Sequence, residues 1–184
     1  FRMCSFIVQI CYGLTMLLVL VLTTLTTAID SFVTANNQPI GGLFCRRPLN
    51  EPMQFYCGNT WETLDTSQKT ASVFILLAIL MELVALAYNA FTICACCCKK
   101  VNKKHLIHIL SSISGAVVVC LLIPTAIFVI NSQEYIKEAM DEQLFFTGEG
   151  YLGVSFVTVS TAFGVSVLCS VLATVAIFFA DVCM

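Results

Sequence analysis

Residues 4–28 read CSFIVQICYGLTMLLVLVLTTLTTA, a run of 25 positions without one charged side chain. A helix rises about 1.5 Å per residue, so the run covers the roughly 30 Å of hydrocarbon in a bilayer. It is too long for a secretory signal and lacks the basic start, short apolar core and cleavage site of one, which predicts a retained membrane span. Three more runs of the same character follow at 71–96, 106–130 and 151–180.

The composition agrees. Hydrophobic residues make up 59% of the 184 positions and charged residues 11%, against about 25% charged in an average soluble domain. Such a chain cannot cover its apolar surface with polar groups in water, so the bilayer has to act as solvent. The formal net charge is −2, and no nucleic-acid partner is expected. The predicted fold is an all-α membrane protein with a small extracellular β-sheet, a four-transmembrane-helix bundle forming one domain over 1–184. Outer loop one is expected at 29–70, the inner loop at 97–105 and outer loop two at 131–150.

Orientation follows from the lysines. The connection CCCKKVNKKH, 96–105, holds Lys99, Lys100, Lys103 and Lys104 and no acid, and short loops rich in Lys and Arg stay cytoplasmic. Both termini are then cytoplasmic, Arg2 agreeing, and the other two loops face outward. The location expected is the plasma membrane.

This topology sorts the eleven cysteines. Disulfides persist in the oxidising outer compartment, where only Cys45 and Cys57 fall, so these two are expected to be bonded rather than free thiols. With 11 residues between them, closing that loop contributes roughly 3 kcal/mol in the chain-entropy account. Cys94, Cys96, Cys97 and Cys98 lie at the inner end of span two beside the lysines. Of these, Cys96, Cys97 and Cys98 are candidates for palmitoylation, with the lysines drawn to anionic membrane lipids; unmodified interfacial thiols are the alternative. The C-x-x-C spacing of Cys94 and Cys97, near His105 and His108, lacks the ligand spacing of known zinc folds, so no metal is expected. Cys4, Cys11, Cys120, Cys169 and Cys183 read as small apolar fillers.

Outer loop one has the punctuation of folded structure: Gly41 and Gly42 suit a turn, Pro48 and Pro52 interrupt, and MQFYC, 53–57, alternates like a short strand. The triplet Gly42-Leu43-Phe44 runs directly into Cys45, with Cys57 as the second cysteine. CLLIPTAIFVI, 120–130, closes span three, and GEGYLGVSFVTVSTAFG, 148–164, enters span four. Together these resemble the claudin, peripheral myelin protein and calcium-channel γ-subunit superfamily. That family's signature is Gly-Leu-Trp, two residues, Cys, eight to ten residues, Cys. Here Phe44 replaces the tryptophan, Cys45 stands two positions early, and the lone Trp61 follows the second cysteine. The resemblance implies a divergent, claudin-like member with an outer sheet stapled by its cysteine pair.

Within the spans, Glu82 is the one deep acid, and Asn89 follows seven residues later on the same helical face. Such groups usually face the bundle interior or a water-filled path. Hydrogen bonding between helices is the expected role, with an ion path or contact with a partner protein as alternatives. On span four, Ala162, Ser166, Ser170 and Thr174 repeat every fourth position, beside Ser160 and Gly164, a spacing expected to let helices pack closely. Pro124 interrupts the hydrogen bonding of span three.

No nucleophile elbow, H-E-x-x-H or phosphate-cradling glycine loop occurs, so neither an enzyme nor a cofactor is expected. The expected function is binding of other membrane proteins through the outer loops and helices, homotypically at cell-cell junctions. The alternative is an auxiliary subunit of an ion channel or receptor, like the γ-subunit branch. A four-span thiol oxidoreductase is more remote, because the C-x-x-C lies on the cytoplasmic side. Loop one carries Arg46 and Arg47, whereas loop two gathers Glu134, Glu138, Asp141, Glu142 and Glu149 against Lys137. Opposed rim charges tune encounter, while aromatic anchors supply affinity, which nominates Phe44, Arg46, Arg47, Phe145 and Phe146 as partner contacts. The alternative for these phenylalanines is packing in the sheet or against headgroups.

Overall fold

The computed structural model describes the backbone of residues 2–28, 33–35, 38–41, 45–46, 56–57, 66–97, 103–141, 150–152 and 154–182. Side chains are described over 6–27, 66–94, 106–130 and 156–178. Four helices dominate: α1 (Arg2–Ala28), α2 (Thr66–Cys97), α3 (Lys103–Asp141) and α4 (Val154–Val182). Each contains a stretch long and apolar enough to cross a bilayer, Phe6–Thr27, Thr66–Cys94, Leu106–Ile130 and Phe156–Phe178.

Only 28% to 33% of each stretch is buried inside the protein. The remainder presents large apolar side chains outward, among them Leu14, Leu80, Ile130 and Phe178, each at least 60% exposed. Water would not tolerate a surface of that kind on every helix, whereas hydrocarbon does. The chain is therefore a multi-pass membrane protein.

The helices close into a ring in which α1 packs against α2 and α4, and α3 packs against the same two neighbours. The buried positions explain the geometry. On α1 they are Gln9, Tyr12, Met16, Val19, Thr23 and Thr26; on α2 they include Ile75, Ala78, Glu82, Ala85, Asn89 and Thr92. On α3 they include Ile107, Leu110, Ser114, Val117 and Leu121, and on α4 Val159, Ala162, Ser166, Cys169, Ala173 and Ala176. All four stripes advance by alternating steps of three and four. That is the heptad period of a left-handed bundle, in which each helix turns a narrow seam toward its neighbours.

The span-four reading needs correction in part. A strict step of four outruns the helical turn by about 40° each time, so the line beginning at Ala162 and Ser166 leaves the interface. Ser170 is half-buried and Thr174 exposed, as is Gly164.

Three loop boundaries also shift. Helix α3 continues through 131–141, the first half of the expected second outer loop, because NSQEYIKEAMD contains neither Gly nor Pro and several strong helix formers. Helix α2 starts at Thr66 and α3 at Lys103, which shortens the other two connections.

Short strands occupy the backbone between α1 and α2 and ahead of α4: β1 (Val33–Ala35), β2 (Gln38–Gly41), β3 (Cys45–Arg46), β4 (Tyr56–Cys57) and β5 (Gly150–Leu152). Their hydrogen-bonded order is β4-β3-β2-β1-β5, with every pairing antiparallel. Tyr151 and Leu152 therefore belong to a strand rather than to the fourth span.

Candidate functional site

In hydrocarbon the hydrophobic effect does not drive helices together; close packing and hydrogen bonds do. The polar side chains of the core are therefore the informative ones, and α1 takes part in each of the interhelical bonds that follow. Nearest its start, Asn89 Nδ2 of α2 donates to the Gln9 carbonyl at 3.2 Å. One turn on, the Tyr12 hydroxyl and Ser114 Oγ of α3 lie 2.7 Å apart, spanning the bundle interior. Thr15 Oγ1 is 3.3 Å from Cys169 Sγ of α4, whose thiol also reaches toward the Tyr12 carbonyl at 3.6 Å. Farther along, Thr23 Oγ1 and Glu82 Oε1 lie 2.9 Å apart, and Thr26 Oγ1 donates to Thr158 Oγ1 at 3.0 Å.

Glu82 is fully buried and Asn89 almost so. Their seven-residue separation puts both on the α2 seam that faces α1. Each finds its own partner on α1. Glu82 lies near enough to Cys120 of α3 for electrostatic interaction with the thiol. Pro124, four residues on, has no N–H, so the Cys120 carbonyl lacks the amide donor a regular helix would supply.

Gly13 completes the Asn89 layer. A β-carbon there would come within 2.7 Å of Asn89 Nδ2, so glycine is what admits the amide beside α1. The same residues floor an open groove of about 280 Å³ between α1 and α2, with Leu14, Leu17 and Leu86 on its walls.

The thiols divide by environment. Cys120 and Cys169 are buried and free, while Cys11 and Cys94 are free and exposed on the outer surface of their helices. Cys120 and Cys169 thus fill space inside the bundle, whereas Cys11 lies on the apolar outer face of its span. Among the described residues no cluster of three His, Cys, Asp or Glu could hold a metal ion, and His108 is exposed.

Cys45 and Cys57 are direct register partners across β3 and β4; their side chains lie outside the described residues. Arg46 is in β3 and Cys96 and Cys97 are in α2, with side chains likewise outside. Gly42, Leu43, Phe44, Arg47, Cys98, Phe145 and Phe146 all lie outside the described residues.

Sequence reasoning missed the α1 side of this network. Gln9, Tyr12, Thr23 and Thr26 were legible as a pair of seven-spaced lines, 9 to 23 and 12 to 26, interleaved with Met16 and Val19. The signal was diluted because other threonines of α1 satisfy themselves on their own helix, as Thr24 does on the Leu20 carbonyl at 2.9 Å. No protein-family model matches the chain, and no curated protein matches its sequence.

Proposed function

We propose that this is a claudin-like, non-enzymatic membrane protein that binds other membrane proteins at cell-cell contacts through its outer loops. The pairing of β1 with β5 carries the reading. It ties the segment after α1 to the segment before α4, so that the two expected outer loops form one platform rather than two separate connections. The extracellular side of that platform rests on the lysine-rich inner loop, with both termini cytoplasmic at the plasma membrane.

The opposed positions of Cys45 and Cys57 support a disulfide. Facing residues of an antiparallel pair have Cα atoms about 4.5 to 5.5 Å apart, within the range a disulfide bridges. Arg46 beside that bond, the acids of 134–149 and the aromatic residues Phe44, Phe145 and Phe146 form the proposed contact surface. Cys96, Cys97 and Cys98 are proposed acylation sites.

One observation favours a second reading, lateral clasping of a channel or receptor subunit. The groove between α1 and α2 has two small residues, Gly13 and Ala90, in its lining, and small residues let a partner helix approach closely. Native purification followed by mass spectrometry separates the two. Homopolymers support the junction reading, a channel subunit in fixed ratio supports the auxiliary reading, and a monodisperse monomer without bound protein overturns both.

A further inference from the structure

Thr23 has one hydroxyl hydrogen, yet two oxygens wait for it. Its Oγ1 stands 2.8 Å from the Val19 carbonyl and 2.9 Å from Glu82 Oε1. A carbonyl and a carboxylate both accept and neither donates. With Glu82 as an anion, that single hydrogen would have to be shared between two acceptors. The second carboxyl oxygen, Oε2, is buried without any hydrogen-bond partner.

The surroundings offer no countercharge. On α2 the described basic residue is Lys69, 13 positions from Glu82, or about 20 Å along the helix. On α3 it is His108, 12 positions before Cys120, or about 18 Å. The described stretches of α1 and α4 contain no acid, lysine, arginine or histidine. Their titratable side chains are Cys11, Tyr12 and Cys169, which belong to the Gln9–Thr15 end of the bundle. Cys120 is the titratable group facing Glu82 from α3, and a thiol supplies no positive charge. A buried carboxylate with a single shared hydrogen bond and no cation is among the most expensive groups to bury.

We propose that Glu82 is a proton-binding site inside the membrane. Its Oε1 carries a hydrogen and donates it to Thr23 Oγ1, and Thr23 passes its own hydrogen to the Val19 carbonyl. The count then closes, with one acceptor for each hydrogen, and Oε2 becomes the carbonyl oxygen of a neutral acid. The ligand is a proton rather than a metal ion, and α1 and α2 are joined by a directional two-step chain instead of a contested hydrogen. The assignment is independent of which partner the protein binds.

Infrared spectroscopy of the full chain in phosphatidylcholine vesicles at neutral pH tests it. The wild type is expected to show a carboxylic-acid C=O band that moves on exchange into deuterated water and is missing from Glu82→Gln. The glutamine amide donates the same bond to Thr23, so that variant keeps its fold and serves as the reference. Thr23→Val removes the acceptor and is expected to shift the acid band to higher frequency, whereas Thr23→Ser leaves it in place. If the wild-type minus Glu82→Gln difference contains carboxylate bands and no acid band, the proposal is overturned. Loss of the acid band on adding sodium or potassium at fixed pH makes Glu82 a cation ligand and overturns it too, as does an acid band that Thr23→Val leaves unmoved.

Discussion

Tyr12 and Ser114 meet oxygen to oxygen at 2.7 Å in the buried centre of the bundle, although 102 residues separate them in the chain. Ser114 also donates to the Leu110 carbonyl of its own helix at 3.0 Å. The two partners are therefore unequal. Tyr12→Phe leaves Ser114 satisfied locally and should cost about 0.6 to 1.7 kcal/mol, the range for hydrogen bonds between membrane helices. Ser114→Ala strands the phenol hydroxyl in an apolar core and should cost about 1 to 3 kcal/mol. Unfolding of both variants in detergent measures the difference, and equal losses would count against this asymmetry.

Gly13 and Asn89 form a second unequal pair. Gly13→Ala drives a β-carbon into Asn89 Nδ2 and should displace the amide from the Gln9 carbonyl, a loss of about 1 kcal/mol or more. In an Asn89→Ala background the obstacle is gone, and the same alanine should become neutral or stabilising through its helix propensity. A double-mutant cycle reads the coupling directly, and additive effects would show that the two residues do not touch.

Cys45 and Cys57 should be recovered joined in a non-reducing digest, and alkylated only after reduction. Changing either to Ser should cost roughly 3 kcal/mol and retain the protein inside the cell. Normal surface delivery of Cys57→Ser with Cys45 open to alkylation would count against the bond.

An epitope inserted between Lys99 and Lys104 should be reached by antibody only in permeabilised cells, since the proposed orientation puts this four-lysine connection in the cytoplasm. Labelling of intact cells would invert the proposed orientation.

Replacing Phe145 and Phe146 together with Ser should abolish partner capture while leaving surface delivery intact. Reversing Arg46 and Arg47 to Glu should weaken capture in a way that added salt diminishes. Co-purification of the same partners at wild-type yield by the double Phe variant would remove loop two from the interface.

The four crossings were plain in the sequence because length and absence of charge are properties of a segment taken alone. Glu82 and Asn89 were also legible, since a deep acid and an amide at heptad spacing stand out against Leu and Ala. Their partners were harder to see. Threonines are scattered around α1, and only packing tells Thr23, which serves Glu82, from Thr24, which serves its own backbone. The Ala162–Thr174 repeat misled for a related reason: a step of four is a fair local signal of contact, but over three repeats it rotates about 120° away from the seam. The extension of α3 past Ile130 was obscured by its charges, which mark the end of a membrane span and not the end of a helix.

That extension sets a length scale. The 11 residues from Ile130 to Asp141 amount to about 16 Å of continuous helix past the apolar stretch, enough to act as a post. If the platform meets a second membrane, the post helps fix the gap between the two sheets of lipid, and excising seven of its residues, which preserves the helical face, would narrow it by about 10 Å.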